Sequence, residues 1–408
     1  MKKIAIIHRI VPVLISIIFA LSPVIAFAET ESFDDFRKEG PQFMEKESQE
    51  FNQYMTQLQK DFDDYKRIVE EEYANYKNEI LKQWKEAEVS DNKKWVEYSP
   101  DYKMKRVVDF EKGYIEVDVI ADKKCGVDKK QFGRILNDLL LEDKQTAFKR
   151  DTLSNNIEKR IIEKTEHIKT DEVKSAPILS PTVMGTAEPT KDKVIKTVVD
   201  LLKNAVFDTK PAKSTSTDAV FSLKVSLPSK GMARRAEQYK PVIKDYAEKQ
   251  NIDASLVLAV AHTESAFNPM ATSHVPAYGL MQIVPKSAGK DATAHLFGKP
   301  VLLAPSYLYN DENNINVGTA YLHLLFHSYL KSIDNLESRL YCAIAAYNTG
   351  PGNVAKAFTG KRNLVEAAKI INDMVPADVY KTLINKLPYD ETKHYLKKVS
   401  ERILAYKK

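Results

Sequence analysis

The strongest constraint on the fold is a repeat of eleven residues between positions 51 and 84. Apolar side chains recur at this interval in three registers: Phe51, Phe62, Tyr73 and Trp84; Tyr54, Tyr65 and Tyr76; Leu58, Val69 and Ile80. Eleven residues over three turns is about 3.67 residues per turn, close to the relaxed α-helix, so these side chains form one nearly straight stripe. The repeat therefore predicts a long helix, which either packs along its own domain or offers the stripe to a partner.

The rest of the 408-residue chain changes pattern twice and is too long for one ordinary core. The stretch VDFEKGYIEVDV, residues 108–119, alternates with a period of two on both sides of a glycine-bearing turn and predicts a β-hairpin. Beyond about Gly231 the spacing is helical to the end. We predict a mainly α chain: a long helical segment at 29–90, an α+β N-terminal domain at 91–230, and a C-terminal α domain at 231–408.

Residues 1–28 have the pattern of a cleaved secretory signal, with a basic start, an apolar run and a small-residue end at Ala28. The alternative is an uncleaved membrane anchor. We expect export to the periplasm. Residues 20–40 contain no cysteine that could carry a lipid anchor, so the sequence leaves open whether the protein associates with the outer membrane or the cell wall. The two cysteines, Cys125 and Cys342, could pair in an oxidising compartment, but they form no disulfide framework or metal set, and we predict two separately buried thiols. A net charge of +5 is too small to indicate a nucleic-acid partner.

The segment HTESAFNPMA, residues 262–271, ends an apolar run with a single acid, Glu264. Asp253 suits the N-cap of a helix over 254–265, and Glu264 continues its apolar face. Burial among aliphatic neighbours and the negative end of the helix dipole both predict a raised pKa for Glu264, which suits a general acid. For any single glutamate, the alternative is an ordinary exposed helix residue.

Three later segments carry further polar residues among apolar ones. AYGLMQIVP, from Ala277, predicts a helix over 277–289 with Gln282 inside it, and Gly279 permits close backbone approach. CAIAAYNTGPG, residues 342–352, predicts a helix with Tyr347 and Asn348 on its last turn. DETKHYLKKV, residues 390–399, opens the final helix, which carries Tyr395. Each segment alone is also compatible with ordinary capping and core packing.

The order ES, GLMQ, AYN and ETKHY, at 264–265, 279–282, 346–348 and 391–395, resembles the motifs of lytic transglycosylases with a lysozyme-like catalytic domain. The resemblance covers about residues 232–408, and the hairpin stretch is similar to that of the membrane-bound lytic murein transglycosylase C family. It implies a lysozyme-like fold, Glu264 as the catalytic residue, and no metal or cofactor. The substrate-binding residues that it implies are Ser265, Gly279, Met281, Gln282, Tyr347, Asn348 and Tyr395.

The resemblance also resolves the missing second acid. Glu264 is the only acid between 254 and 290, whereas ordinary glycosidases use two carboxylates. Lytic transglycosylases cleave glycan strands of peptidoglycan between N-acetylmuramic acid and N-acetylglucosamine, and the muramic acid's own C6 hydroxyl closes a 1,6-anhydro ring. Two alternatives stay open: a hydrolase that brings Asp291 or Asp311 into the cleft, and a non-catalytic cell-wall scaffold.

Two histidine patterns are set aside. His262-x-Glu264 is spaced like a zinc-deaminase motif, but no Cys-x-x-Cys follows it. His323 and His327 could share a helix face at a metal-binding spacing, but no glutamate stands between them and the sequence supplies no third ligand. That spacing is better explained as a coincidence of the helix face.

Overall fold

The computed structural model of the chain describes residues 31–165, 167–213 and 217–407. The predicted signal at 1–28 lies outside these ranges. By contacts the chain divides into a short unit that ends at Gln57 and a compact unit formed by Leu58–Lys408. Within the described ranges, no helix combines the length and the hydrophobicity needed to cross a bilayer.

The repeat forms one long helix, α1 (Glu31–Gln83). From position 58 onward most of its stripe is buried in the compact unit: Leu58, Phe62, Tyr65, Val69, Tyr73 and Ile80, with Trp84 just after the helix. The Tyr65 hydroxyl donates to the Tyr278 hydroxyl at 2.9 Å. The predicted long helix is confirmed, and for these residues the stripe packs along its own chain. A protein partner for residues 29–90 stays a prediction.

The strands are β1 (Lys94–Tyr98), β2 (Met104–Asp109), β3 (Tyr114–Asp122), β4 (Ile168–Lys169), β5 (Val206–Pro211), β6 (Asp218–Ser226) and β7 (Leu302–Leu303). A five-stranded sheet has the order β1-β2-β3-β6-β5, and every pair in it is antiparallel. The β2–β3 pair is the predicted hairpin, with Val108 opposite Ile115. The short strands β4 and β7 pair in parallel and join the two halves of the chain.

After α1, the helices before position 231 are α2 (Lys129–Leu140), α3 (Lys144–Arg150), α4 (Thr152–Ile162), α5 (Ser180–Met184) and α6 (Lys191–Lys203). After it come α7 (Gly231–Lys249), α8 (Ala254–Ser265), α9 (Lys290–Phe297), α10 (Pro305–Tyr309), α11 (Asp311–His323), α12 (Leu336–Thr349), α13 (Pro351–Thr359), α14 (Leu364–Asn372), α15 (Pro376–Lys386) and α16 (Asp390–Tyr406). π-helical turns occupy Pro285–Gly289 and Leu324–Tyr329. The predicted fold class, a helical C-terminal part preceded by an α+β region, is confirmed.

One hydrophobic core runs across position 231. It joins Phe110 and Ile115 of the hairpin region to Ala266 and Met270, which follow α8. The buried Arg235 of α7 links the same parts, because its guanidinium donates to the Phe110 carbonyl at 2.8 Å and to the Ala266 carbonyl at 3.0 Å. The sheet region is therefore packed directly behind the end of α8. The predicted domain boundaries themselves stay a prediction.

Both cysteines are free thiols, but only one is buried. Cys342 lies in the core of α12, where burial raises its pKa. Cys125 is exposed in the turn after β3, so the expectation of two buried thiols is wrong for it. The error has a simple cause: Cys125 sits in the polar turn DKKCG, whose neighbours face solvent.

Candidate active site

Helix α8 delivers Glu264 to the edge of the core. Asp253 caps its N-terminus by accepting from the Ser255 amide at 2.8 Å, and its apolar residues are almost fully buried. The helix ends because Ala266 and Phe267 adopt left-handed backbone conformations, with φ of 53° and 56°. Such conformations are costly for residues other than glycine and cluster at functional sites. Glu264 is left half-buried on the last turn.

The surroundings of Glu264 favour its neutral form. Burial raises the pKa of its carboxyl from 4.5 to about 7, and Tyr395 and the Lys93 ammonium partly offset that rise. Glu391, exposed near the start of α16, raises the pKa further through repulsion. At neutral pH the carboxyl is therefore close to half protonated. This is the state in which one group can both give and accept a proton.

The segment around Gln282 is a tight turn and not the helix predicted over 277–289. Tyr278 and Ile283 exchange backbone hydrogen bonds at 3.2 and 3.1 Å across it, and Gln282 itself has a left-handed φ of 49°. Its side-chain amide donates to the Gly279 carbonyl at 3.0 Å. The helix prediction was wrong because it rested on the apolar spacing alone, whereas the turn depends on a partner from a distant part of the chain.

That partner is Asn314 of α11. Its amide nitrogen donates to the carbonyls of Tyr278 at 2.7 Å and Leu308 at 2.9 Å, and its oxygen accepts from the Met281 amide at 2.8 Å. A fully buried side chain thus satisfies backbone groups that a helix would have paired internally. One feature of the sequence could have indicated Asn314: it is a polar residue on the apolar helix face that also carries Val317 and Gly318.

Gly279 is required by this arrangement. A Cβ atom at this position would lie 2.3 Å from the Asn314 amide nitrogen and 2.5 Å from the Leu308 carbonyl oxygen. The φ of 74° also disfavours any other residue. The sequence prediction of close backbone approach at Gly279 agrees with this geometry, but the approach is made by protein atoms.

Three predicted substrate-binding residues are buried behind the site: Ser265, Gly279 and Met281. The Ser265 hydroxyl donates to the Leu280 carbonyl at 2.8 Å, which ties α8 to the turn. The Met281 carbonyl accepts from the Tyr347 hydroxyl at 2.8 Å. These contacts shape the wall that carries Glu264 and Gln282, and the role of the three residues in substrate binding stays a prediction.

The remaining predicted residues come from α12 and α16. Tyr347 and Tyr395 both lie within electrostatic range of Glu264. The buried Tyr395 hydroxyl faces the Glu264 carboxyl, and this side-chain interaction lowers the pKa of the acid. Asn348 is half-buried, and its oxygen accepts from the Thr392 hydroxyl at 2.6 Å, which fixes α12 against α16. The structure thus brings Tyr347 and Tyr395 to the acid, with Asn348 next to Tyr347 in sequence.

Two residues that the sequence did not predict lie near the end of α8. Asn92 and Lys93, just before β1, contact backbone carbonyls at the end of α8. Nothing in the sequence marks them, since a polar pair before a strand is ordinary turn chemistry.

The acids considered for a hydrolase are held elsewhere. Asp311 pairs with the buried Lys144 ammonium at 2.7 Å, and Asp291 accepts from the Tyr329 hydroxyl at 3.0 Å. Neither contributes to the pKa shift of Glu264. Glu391 is instead the second carboxylate whose charge reaches the site.

The histidine pair contacts the backbone. His323 Nδ1 lies 2.8 Å from the Gln250 carbonyl oxygen, and His327 Nε2 lies 3.0 Å from that of Asn251. Among the residues that the structure describes, no group of three or more candidate ligands could hold a metal ion. The carbonyl contacts give these two rings a structural explanation.

A separate cavity of about 340 Å³ contains none of the predicted site residues. Its lining includes aromatic side chains from α1 and the β1 region, residues from the segment 147–153, and Met270 and Thr272. It lies between the N-terminal region and the segment that follows α8.

Two family profiles match the chain. "Transglycosylase SLT domain" matches residues 241–370, and "Membrane-bound lytic murein transglycosylase C, N-terminal domain" matches residues 47–161. A membrane-bound lytic murein transglycosylase C of Yersinia enterocolitica is 33% identical over 327 residues, which cover 79% of this chain and 85% of that protein. One from Klebsiella pneumoniae is 42% identical over 197 residues, or 48% of this chain, and the match spans only 54% of the relative's length.

Solved structures give weaker global matches. The 70 kDa soluble lytic transglycosylase of Escherichia coli aligns with a TM-score of 0.33 and 21% identity, covering 68% of this chain and 43% of that one. An inactive mutant of the lytic transglycosylase Slt from Pseudomonas aeruginosa aligns with a TM-score of 0.32 and 28% identity, covering 41% of this chain and 24% of that one.

Proposed function

Since the chain belongs to the membrane-bound lytic murein transglycosylase C family, we propose that it is a peptidoglycan lytic transglycosylase, a lyase that cleaves glycan strands without water. The bond cleaved joins N-acetylmuramic acid to N-acetylglucosamine, and the product carries a 1,6-anhydro-muramic end. The observation that carries the proposal is the half-buried Glu264 carboxyl at the end of α8, whose pKa is raised to about 7.

In the first step Glu264, as the acid, donates its proton to the glycosidic oxygen. The bond from the muramic C1 to that oxygen breaks, and the leaving sugar departs as a neutral alcohol. Positive charge develops at C1, which the substrate's own N-acetyl oxygen is placed to stabilise. A raised pKa favours this step because a neutral carboxyl can release its proton into the developing leaving group.

In the second step the muramic C6 hydroxyl attacks C1 and closes the anhydro ring. Its proton passes to the Glu264 carboxylate, which restores the starting acid. The Tyr395 hydroxyl, which faces this carboxyl and lowers its pKa, is the donor that stabilises the transient carboxylate. No second protein carboxylate is needed, because the substrate supplies the nucleophile.

The neutral side chains near Glu264 hold the sugar and do not compete for the proton. The half-buried Gln282 amide and Asn348 are placed to bind hydroxyl or acetamido groups. The half-buried Tyr347 presents aromatic surface next to the acid, and the buried Tyr395 presents its hydroxyl to it. Metal ions and cofactors have no part in this mechanism, and export to the periplasm follows from the proposed signal at residues 1–28.

The test is mass analysis of murein fragments released by the wild-type chain and by Glu264→Gln. Anhydro-ended fragments that disappear with Glu264→Gln are the expected result. Reducing-end fragments would replace the proposal with a hydrolase. Absence of soluble fragments from the wild type would favour a scaffold.

The hydrolase alternative needs its own control, because Glu391 is the acid best placed to activate water. Glu391→Gln is expected to retain anhydro products with a modest loss of rate, since Glu391 is exposed and acts only through its charge. Loss of activity as complete as that of Glu264→Gln would contradict the single-carboxylate mechanism.

A further inference from the structure

The segment that enters β1 reaches across to the last turn of α8. The Asn92 side-chain amide donates to the backbone carbonyl of Glu264 at 2.8 Å. The Lys93 ammonium donates to the Thr263 carbonyl and lies 3.5 Å from that of His262. Carbonyls in the last turn of a helix lack partners within the helix, and a cation there also complements the helix dipole.

A local turn fixes the direction of these two side chains. The Asp91 carboxylate accepts from the backbone amides of Lys93 and Lys94, both at 2.7 Å. Successive side chains then separate: Lys93 is directed to α8, and the Lys94 ammonium pairs with Glu88 at 3.1 Å. The two adjacent lysine side chains therefore have different partners, since Lys93 contacts carbonyls of α8 and Lys94 pairs with Glu88 and, at 3.7 Å, with Asp91. This gives a matched control at the next position.

The charges around Lys93 come from three elements. Glu264 of α8 and Glu111 of the β2–β3 turn favour its charged form, and Arg402 and Lys398 of α16 oppose it. Burial is the largest effect and lowers the pKa of Lys93 to about 8, so the side chain is still a cation at neutral pH.

Three side chains shift the pKa of Glu264: Tyr395, Lys93 and Glu391. The Glu264 carboxyl in turn raises the pKa of Tyr347. Lys93 is the cation among them. Its charge stabilises the carboxylate form of Glu264.

We propose that Lys93 and Asn92 are positioning residues for Glu264: they hold the last turn of α8 by its carbonyls and place a cation beside the carboxyl. The N-terminal region thereby forms part of the acid–base site. The inference deepens the proposed transglycosylase function and rests on that function for its activity readout.

The decisive variant is Lys93→Gln, which keeps a donor for the Thr263 carbonyl but removes the charge. Without the cation the Glu264 carboxylate is less stable, so the acid stays protonated to higher pH. The alkaline limb of the pH profile of fragment release is expected to move up by as much as about one pH unit. Lys93→Arg keeps charge and donor and should leave the limb in place. Lys94→Gln, the matched control, should also leave it in place.

An unmoved alkaline limb in Lys93→Gln, even with a lower rate, would overturn the proposal, because a purely structural contact lowers the rate without changing the limb. Asn92→Ala removes only an uncharged contact and is expected to reduce turnover several-fold with the limb unchanged. Unchanged turnover in this variant would contradict a role for Asn92.

A second readout does not depend on activity. Carbon-13 NMR of the full chain labelled at glutamate carboxyls, with the Glu264 signal assigned by its loss in Glu264→Gln, follows the titration directly. An upward shift in Lys93→Gln supports the inference even if the wild type releases no fragments, in which case only the proposed function fails. If the wild type releases fragments but its Glu264 titration superimposes on that of Lys93→Gln, the inference fails and the proposed function stands.

Discussion

The raised pKa of Glu264 predicts that this carboxyl destabilises the fold as pH rises. In the unfolded chain the carboxyl titrates near 4.5, and in the folded chain near 7. The folded state therefore binds the proton more tightly, and stability is lost as the pH rises from 4.5 to 7. At about 1.4 kcal/mol per pH unit, the full cost above pH 7 is about 3 kcal/mol.

Glu264→Gln removes this cost, because the neutral amide has nothing to ionise. We expect the variant and the wild type to unfold with similar free energies near pH 4.5, and the variant to be more stable by about 3 kcal/mol at pH 8.5. For a cooperative unit of about 350 residues this is a rise of about 4 °C in melting temperature.

The assay is thermal unfolding of both chains at half-unit steps from pH 4.5 to 9, followed by circular dichroism. The matched control is Glu391→Gln on the exposed start of α16, for which a gap below about 1 kcal/mol is expected at every pH. A gap between Glu264→Gln and wild type that does not widen with pH, or that favours the wild type at pH 8.5, would refute the reasoning. The carboxyl would then be solvated in the folded chain.

Two further substitutions test the walls of the site. Tyr347→Phe removes the hydrogen bond to the Met281 carbonyl, so we expect murein cleavage to fall about tenfold, equivalent to about 1.4 kcal/mol; a rate equal to wild type would show that this bond does not hold the turn in place. Gly279→Ala forces a Cβ onto the Asn314 amide, so denaturant unfolding should show a loss of about 3 kcal/mol or more. Gly298→Ala, at the same φ of 74° but with nothing within 4 Å of the new Cβ, separates strain from clash and should cost only about 1 kcal/mol. Equal losses for the two glycines would contradict the clash.

Much of the fold could be predicted from local pattern. The eleven-residue repeat predicts α1, the alternation around Gly113 predicts the β2–β3 hairpin, and the Asp253 cap with the apolar run after it predicts α8 over the range observed. In each case the signal lies within one element, because the period of the side chains matches the geometry of the backbone.

The edge strand β5 carried no such signal. Every residue of Val206–Pro211 is exposed, so neither face offers an alternation of polar and apolar side chains to detect. Its place in the sheet comes from pairing with β6, with Phe207 opposite Leu223. Pairing of this kind is decided by backbone hydrogen bonds between distant segments.

The turn at 278–283 shows the same limit within the site. Its residues have apolar spacing typical of a helix, but Asn314, from another element, satisfies two of its backbone groups, the Tyr278 carbonyl and the Met281 amide. The sequence identified Gly279 as a point of close backbone approach. It could not identify the atoms that approach this glycine.

For the acid itself, the sequence alone determined that Glu264 closes an apolar helix, stands without another acid nearby in sequence, and has a raised pKa. Only the tertiary structure decided what balances that pKa: Tyr395 and Glu391 from α16, and Lys93 from the entry to β1. Burial along a helix is local and can be read from spacing. Charge interactions and backbone capping instead depend on distances across the fold, which are set when the sheet region packs against the end of α8.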